Sequence, residues 1–262
     1  HDITELNLAK ESALAANAHA CRGLGGRVCA HVREQVVDHL AQPLRIARDH
    51  DGRGSLQRER ARGLHRVRRV DGLARDFGRR AFGAAADVTD AGQVERLVAT
   101  ATEALGRVDI LINSAGINIR GSIADLSPEQ FGQVMAVNVN APWLLSTSLA
   151  ARRIADGKPL RIVNIASMAA FEYQGHGAAL YSMTKAAVVR MTEVLAVEWA
   201  RYPINVNGIA PGAFASEMMD GMLSRMGDIT QSFRRKRLGD PAMMDSTLLY
   251  LVAPASEAVT GT

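Results

Sequence analysis

Cysteine is almost missing from this chain. Cys21 and Cys29 are the two it has in 262 residues, too few for a disulfide framework or a four-ligand metal site. The seven histidines show no ligand spacing, so no metal is expected. Long apolar runs are also lacking: none approaches the roughly 18 residues of a membrane span. The stretch from Leu8 to Ala20 is interrupted by Lys10 and Glu11 and does not read as a leader. These absences predict a cytoplasmic protein with no membrane partner. Aromatics make up 5% of the residues. The net charge of +4 comes mostly from arginine in residues 22–80, interleaved with glycine and alanine and almost without rings to stack on bases. Nucleic acid is therefore not an expected partner.

What is present is apolar bulk. With 47% hydrophobic residues, the chain can bury the core of one large α/β domain. The stretch from Leu160 to Trp199 organises it. Arg161-Ile162-Val163-Asn164-Ile165 has strand composition and ends at Ala166-Ser167. Further on, Ala187, Val188, Met191, Val194 and Leu195 recur at helical spacing. Tyr181 and Lys185 stand at i and i+4 on that helix, on one face. A phenol with an ordinary pKa of about 10 is a poor proton carrier at neutral pH. An ammonium one turn away would lower it, and a serine hydroxyl beside it could hold a carbonyl or alcohol oxygen. Such a trio suits proton transfer to oxygen while another group moves a hydride. Tyrosine and lysine also meet at this spacing on many helices by chance.

Residues 1–72 form an atypical Arg/Gly-rich segment with no clear strand. Within it, Arg22-Gly23-Leu24-Gly25-Gly26-Arg27 is a glycine cluster able to cradle a phosphate before a helix. A flexible arginine-rich and glycine-rich stretch accounts for it equally well. From Leu73 the patterning changes. Residues 80–88 read as a short strand ending at Asp87-Val88, and Asp90 with Gln93 opens a helix closed by Gly106. Val108 to Ile112 reads as a buried strand running into Asn113-Ser114-Ala115-Gly116, where small side chains admit a ligand close to the backbone. Ser127-Pro128-Glu129-Gln130 opens another helix, which carries Asn138 in an apolar stretch. That amide must find partners, and a structural hydrogen bond would satisfy it. Pro203 to Ala210 is a further strand, ending at Pro211-Gly212. The methionines at 218, 219, 222 and 226 suit a helical lid or ordinary core. Thr247 to Val252 reads as one more amphipathic helix.

Alternating strands and helices predict a Rossmann-type, doubly wound parallel sheet in three layers, with residues 73–262 as its body and an irregular N-terminal segment. In such sheets ligands bind beyond the carboxyl ends of the strands. Asp87, Asn113 to Gly116, Ser167 and Pro211-Gly212 all fall there.

On these residues, together with Asn138, Tyr181-Ser182-Met183-Thr184-Lys185 and Asn207, the chain from 73 to 262 resembles the short-chain dehydrogenase/reductase family. The resemblance implies NAD- or NADP-dependent interconversion of a secondary alcohol and a carbonyl, on a sugar-acid, polyol or 3-oxoacyl substrate. It implies Tyr181 as acid/base, Lys185 on the nicotinamide ribose, Ser167 on the substrate oxygen and Asn138 positioning a proton-relay water. Cofactor contacts would come from Gly23, Gly25, Asp87, Val88, Asn113, Ala115, Gly116, Tyr181, Lys185, Pro211, Gly212, Ala213 and Ser216. A homodimer or homotetramer is implied, with the helices from Pro128 and from Tyr181 at the interface.

The chain departs from the family at the glycine motif, where Ala18 and His19 replace Thr-Gly. It also lacks a clear second strand, and it stops at Thr262, short of the family's closing strand. The alternative is a catalytically impaired member, an oligomeric scaffold whose pyrophosphate grip is lost. The compositional bias of residues 1–70 is what out-of-frame translation of a GC-rich gene would produce, an expectation that sequencing the gene would check.

Overall fold

Three β-branched runs set the frame of the computed structural model, which describes residues 83–262 apart from Gln174, His176 and Arg234. They are β1 (Ile110–Asn113), β2 (Leu160–Ile165) and β3 (Ile204–Ile209), hydrogen-bonded in parallel in that order. The helices are α1 (Ala91–Leu105), α2 (Pro128–Met135), α3 (Ala141–Asp156), α4 (Ala179–Glu198), α5 (Glu217–Met226) and α6 (Asp245–Val252). Gly23, Gly25, the two cysteines and the whole of the expected 1–72 segment lie outside the described residues.

Alternation along β2 divides the core. Leu160 and Ile162 face one side, where Val98 of α1, Leu149 of α3 and Val188 and Leu195 of α4 cover them. Val163 and Ile165 face the other, against Leu248, Leu251 and Val252 of α6. Helices on both faces leave the strands buried on both sides, which is why they read as continuous apolar runs. The layering is that of a Rossmann-type α/β fold. A polar chain crosses the sheet within this core. Asn113 donates to Ser146 Oγ of α3 (3.0 Å) and to Asn164 Oδ1 (2.8 Å), and Asn164 donates to Thr192 Oγ1 of α4 (2.9 Å). Asn113 and Asn164 are register partners, so the pair locks two strands and two helices into one alignment.

Local signals largely set the helix ends. Asp90 caps α1 by accepting from Gln93 N at 2.8 Å, and Gly106 with φ 79° stops it. Ser127 and Gln130 complete a reciprocal capping box on α2. One expectation changes. Residues 83–88 are not a strand: Asp87 turns its carboxylate back onto Thr89 N at 2.9 Å, and its own N–H is taken by Gln93 Oε1 at 3.0 Å. That local turn competes with extension in a run poor in β-branched residues. The methionines at 218, 219, 222 and 226 do lie on one helix, α5, capped at Ser216 and ended by Gly227. At the far end of the sheet, Gly261 N–H donates to Val206 O (2.8 Å) and Gly208 N–H to Thr262 O (2.6 Å), so residues 260–262 run along β3.

Two loops beyond the strand ends are pinned together. Gly121 N–H donates to Gly177 O at 3.1 Å. Gly177 has φ 68°, and a Cβ there would stand 2.9 Å from Gly121 N. Gly177→Ala therefore combines left-handed strain with a backbone clash. It is expected to cost about 2 kcal/mol in urea unfolding; an unchanged midpoint would show that the two loops do not need this contact.

Candidate active site

Ser167 leaves β2 in extended conformation (φ −168°, ψ 154°). Backbone bonds on either side hold it: Ala166 N–H to Ile209 O at 2.8 Å and Met168 N–H to Pro211 O at 2.9 Å. Its hydroxyl oxygen caps the short 3-10 turn by accepting from Ala169 N at 3.1 Å. The Ala169 carbonyl in turn accepts from Ser182 Oγ of α4. The serine is therefore fixed to the helix that carries Tyr181, and its hydroxyl is near enough to the phenol to favour the phenolate.

One turn along α4, Lys185 is buried, with 4% of its surface exposed. Its Nζ donates to Ile165 O, the last carbonyl of β2, at 2.7 Å. It also lies 5.6 Å from the centroid of the Tyr181 ring, within cation–π range. Gly116 brings the backbone after β1 over this pair. A Cβ at that position would be 3.5 Å from Lys185 Nζ and 3.6 Å from Asn138 Oδ1, in ordinary van der Waals contact with both.

Asn138 sits in a π turn, Ala136–Asn140, between α2 and α3. Its Oδ1 accepts from Ile117 N (2.8 Å), and its Nδ2 donates to Ile117 O (2.9 Å) and to Thr184 Oγ1 (3.0 Å). The amide thus clamps the loop after β1 onto α4. Thr184 passes the link on by donating to Tyr181 O at 2.8 Å. The extra residue of the π turn lets the amide face sideways, toward Ile117, rather than into the helix ladder.

The remaining sequence-marked residues divide into two groups. Pro211 supports Met168, and Gly212 passes 3.9 Å from Met168 Cγ, measured to an added Cβ. Ala213 O accepts from Gly239 N at 2.9 Å. Ser216 spends its hydroxyl capping α5, accepting from Met219 N at 3.1 Å. Asn207 holds the C-terminal strand segment: its Nδ2 donates to Val259 O at 2.9 Å. Asp87 is exposed and Val88 half-buried, at the turn before α1. Sequence reasoning missed three positions: Thr184, Ser182 and Arg120. The first two lie inside the tyrosine motif, but nothing in composition reveals their hydrogen bonds. Arg120 had one signal, being the lone cation in the loop after β1.

Burial sets the electrostatics. It pushes the Tyr181 phenol above its ordinary value of 10.0, against the Ser167 hydrogen bond and the Arg120 charge, which both pull it down. That reverses the expected direction: the ammonium of Lys185 is turned onto Ile165 O, and desolvation of the phenolate dominates. Burial also lowers Lys185 to about 8. Among the described residues no group of histidine, cysteine and carboxylate side chains is arranged to hold a metal. No helix among them is long and apolar enough to cross a membrane.

Comparison with known proteins places these features in context. The family model described as enoyl-(acyl carrier protein) reductase matches residues 61–262. The 2-dehydro-3-deoxy-D-gluconate 5-dehydrogenase of Dickeya dadantii is 34% identical over 187 residues, 70% of this chain and 74% of that protein. The NAD-dependent glycerol dehydrogenase of Listeria innocua is 34% identical over 180 residues, 67% and 69% of the two chains. The structure of the actinorhodin polyketide ketoreductase with NADPH superposes with a TM-score of 0.69 at 31% identity, covering 74% of this chain and 79% of that one.

A buried lysine whose folded pKa lies below its unfolded value binds fewer protons when folded. Stability must therefore rise with pH between about 8 and 10.5 and carry the full penalty below that window. The gain is expected to be about 3 kcal/mol across the window. It is read as the difference in unfolding free energy between the protein and Lys185→Met, and a pH-independent difference would refute it.

Proposed function

Because the chain belongs to the short-chain dehydrogenase/reductase family, an enzyme family of NAD(P)-dependent oxidoreductases, we propose that it interconverts a secondary alcohol and a carbonyl with Tyr181 as the proton carrier. One observation carries the reading. The Tyr181 phenol, with Ser167 near enough to favour its phenolate, has a buried ammonium 5.6 Å from its ring centroid at the carboxyl ends of parallel strands, where open α/β sheets take their ligands.

The described residues fit the nicotinamide half of such a cofactor. Gly116 keeps the backbone bare beside Lys185. The buried Ser114 Oγ and Asn113 Oδ1, at the end of β1, have no hydrogen-bond partner among the described residues, and polar ligand atoms could satisfy them. Asn113, Ala115, Gly116, Lys185 and the Pro211-Gly212-Ala213 turn would line it, with Asp87 and Val88 toward the adenine. Ser216 fits less well, since its hydroxyl already caps α5. When bound, the nicotinamide supplies or accepts the hydride.

The chain's own part is to hold an oxygen and move a proton. A carbonyl oxygen placed between the Ser167 and Tyr181 hydroxyls is polarised by both. As its carbon gains a hydride, the C–O π pair moves onto oxygen and takes the Tyr181 proton. The phenolate left behind is stabilised by Ser167, by the Lys185 ammonium one turn away, and by Arg120. Water then restores the proton. In the reverse direction the same phenolate accepts the alcohol proton. The role of Asn138 is to keep the loop over Lys185 in place, through its amide bonds to Ile117 and Thr184.

Because burial holds the phenol high, it is protonated at neutral pH and ready as an acid, whereas its use as a base needs alkali. Oxidation is therefore expected to keep rising with pH beyond 9 while reduction falls. Tyr181→Phe should lower both by about 10³-fold. Retained activity in that variant would end the assignment.

Self-association is part of the same proposal. Met183, Ala186, Val194 and Val197 are exposed on α4, Val197 at 78%, flanking the Arg190–Glu193 ion pair, and Trp143 on α3 and Phe131 on α2 are exposed as well. A face this apolar on a soluble helix favours a partner. Val197→Glu is expected to shift the sedimentation coefficient from that of a dimer or tetramer to that of a monomer. A monomeric parent protein would refute it.

A further inference from the structure

Both amide protons of Asn138 are already spent. One goes to Ile117 O at 2.9 Å and the other to Thr184 Oγ1 at 3.0 Å, while Oδ1 accepts from Ile117 N–H at 2.8 Å. The residue is 1% exposed. Such an amide has no proton left to offer a substrate. Two of these bonds hold the loop after β1, and the third crosses to α4.

Thr184 receives that third bond and is itself fully buried, at 0% exposure. Its hydroxyl donates in turn to Tyr181 O at 2.8 Å, three residues back along the helix. One oxygen therefore lies between the amide that grips the loop and the main chain of the tyrosine. The loop and the helix also meet through apolar contacts, where Ile117 shares a cluster with Leu180, Val134 and Val137. Apolar contact is non-directional and tolerates sliding, whereas a hydrogen bond weakens steeply when its geometry changes. Register matters at this place, because the loop carries Gly116 to within 3.5 Å of Lys185 Nζ, measured to an added Cβ.

We propose that Thr184 is a positioning residue of the active site. Its hydroxyl sets the loop after β1, through Asn138, in register with the turn of α4 that carries Tyr181 and Lys185. This rests on the oxidoreductase reading above and adds to it the group that couples the two halves of the site. Valine in its place keeps the shape, removes both bonds and strands a buried amide proton, whereas serine keeps both bonds.

The test has one arm that needs no turnover. Amide hydrogen exchange at Ile117 is followed in the full chain, Thr184→Val, Thr184→Ser and Ser182→Ala. Thr184→Val is expected to speed it about tenfold, the scale of one lost buried hydrogen bond. Thr184→Ser should match the parent, and so should Ser182→Ala, whose hydroxyl bonds to Ala169 O instead. The kinetic arm uses NAD(H) and NADP(H) with whichever of D-gluconate, D-glucitol and ethyl acetoacetate the parent chain turns over. Thr184→Val should lower kcat about tenfold with KM unchanged, because a misplaced reacting group is a loss made in the transition state. Thr184→Ser should restore it. Asn138→Leu combined with Thr184→Val should fall no further than the worse single variant, since the two residues act as one unit. If the valine form does not fold, Thr184→Cys, with its weak donor and acceptor, decides in its place. Unchanged Ile117 exchange, a rise in KM at constant kcat, or losses that multiply in the double variant would overturn the proposal. Failure of the oxidoreductase reading registers separately, as a parent chain with no turnover that Tyr181→Phe removes, and the exchange arm then still accepts or rejects the tie.

Discussion

A lysine ammonium is held inside this protein 2.7 Å from the final carbonyl of β2, and the surroundings of the site follow from keeping it there. Burying a cation is costly unless its hydrogen bonds are met and opposite charge is near. Carbonyl groups at the end of a parallel strand, left unpaired by the ladder, are the natural partner. The loop after β1 passes over the lysine head at Gly116, where an added Cβ would stand 3.5 Å from Nζ, in van der Waals contact. Burial leaves the lysine at about 8, so near neutral pH it is still mostly cationic while poised to lose its proton.

Rigidity around that cation comes from amides and hydroxyls rather than from apolar packing alone. Asn138 ties the β1 loop to α4 through Ile117 and Thr184, and Ser182 ties the β2 loop to the same helix through Ala169 and Ser167. Helix α4 is therefore the common member of both ties. Beneath them, the Ser146–Asn113–Asn164–Thr192 chain fixes the strands from which both loops depart. Ties of this kind hold Ser167 and Tyr181 to one rigid helix, so little reorganisation is needed around them.

The opposite rim has a different character. Met222 is buried beneath Arg120, and Arg225 is laid over Gly221. Thioether and guanidinium groups are adaptable, polarisable contacts.

Much of this was legible in the residues alone. The strands around Val108–Ile112, Arg161–Ile165 and Ile204–Ile209, the caps at Asp90 and Ser127, and the alignment of Tyr181 with Lys185 each depend on neighbours within a few positions, so periodicity and capping chemistry determine them. Residues 83–88, the described part of the expected strand 80–88, are not a strand: the Asp87–Thr89 turn was available locally, and composition does not show which option wins. The direction of the Tyr181 shift was misread for a related reason: spacing places an ammonium near the phenol but cannot say how deeply both are buried or that the ammonium points at Ile165 O. The clamp of Asn138 on a loop 21 residues away and the meeting of Arg120 with a helix 102 residues further on were settled by tertiary structure. Such contacts depend on how separate elements pack, and packing is a property of the whole chain rather than of any segment of it.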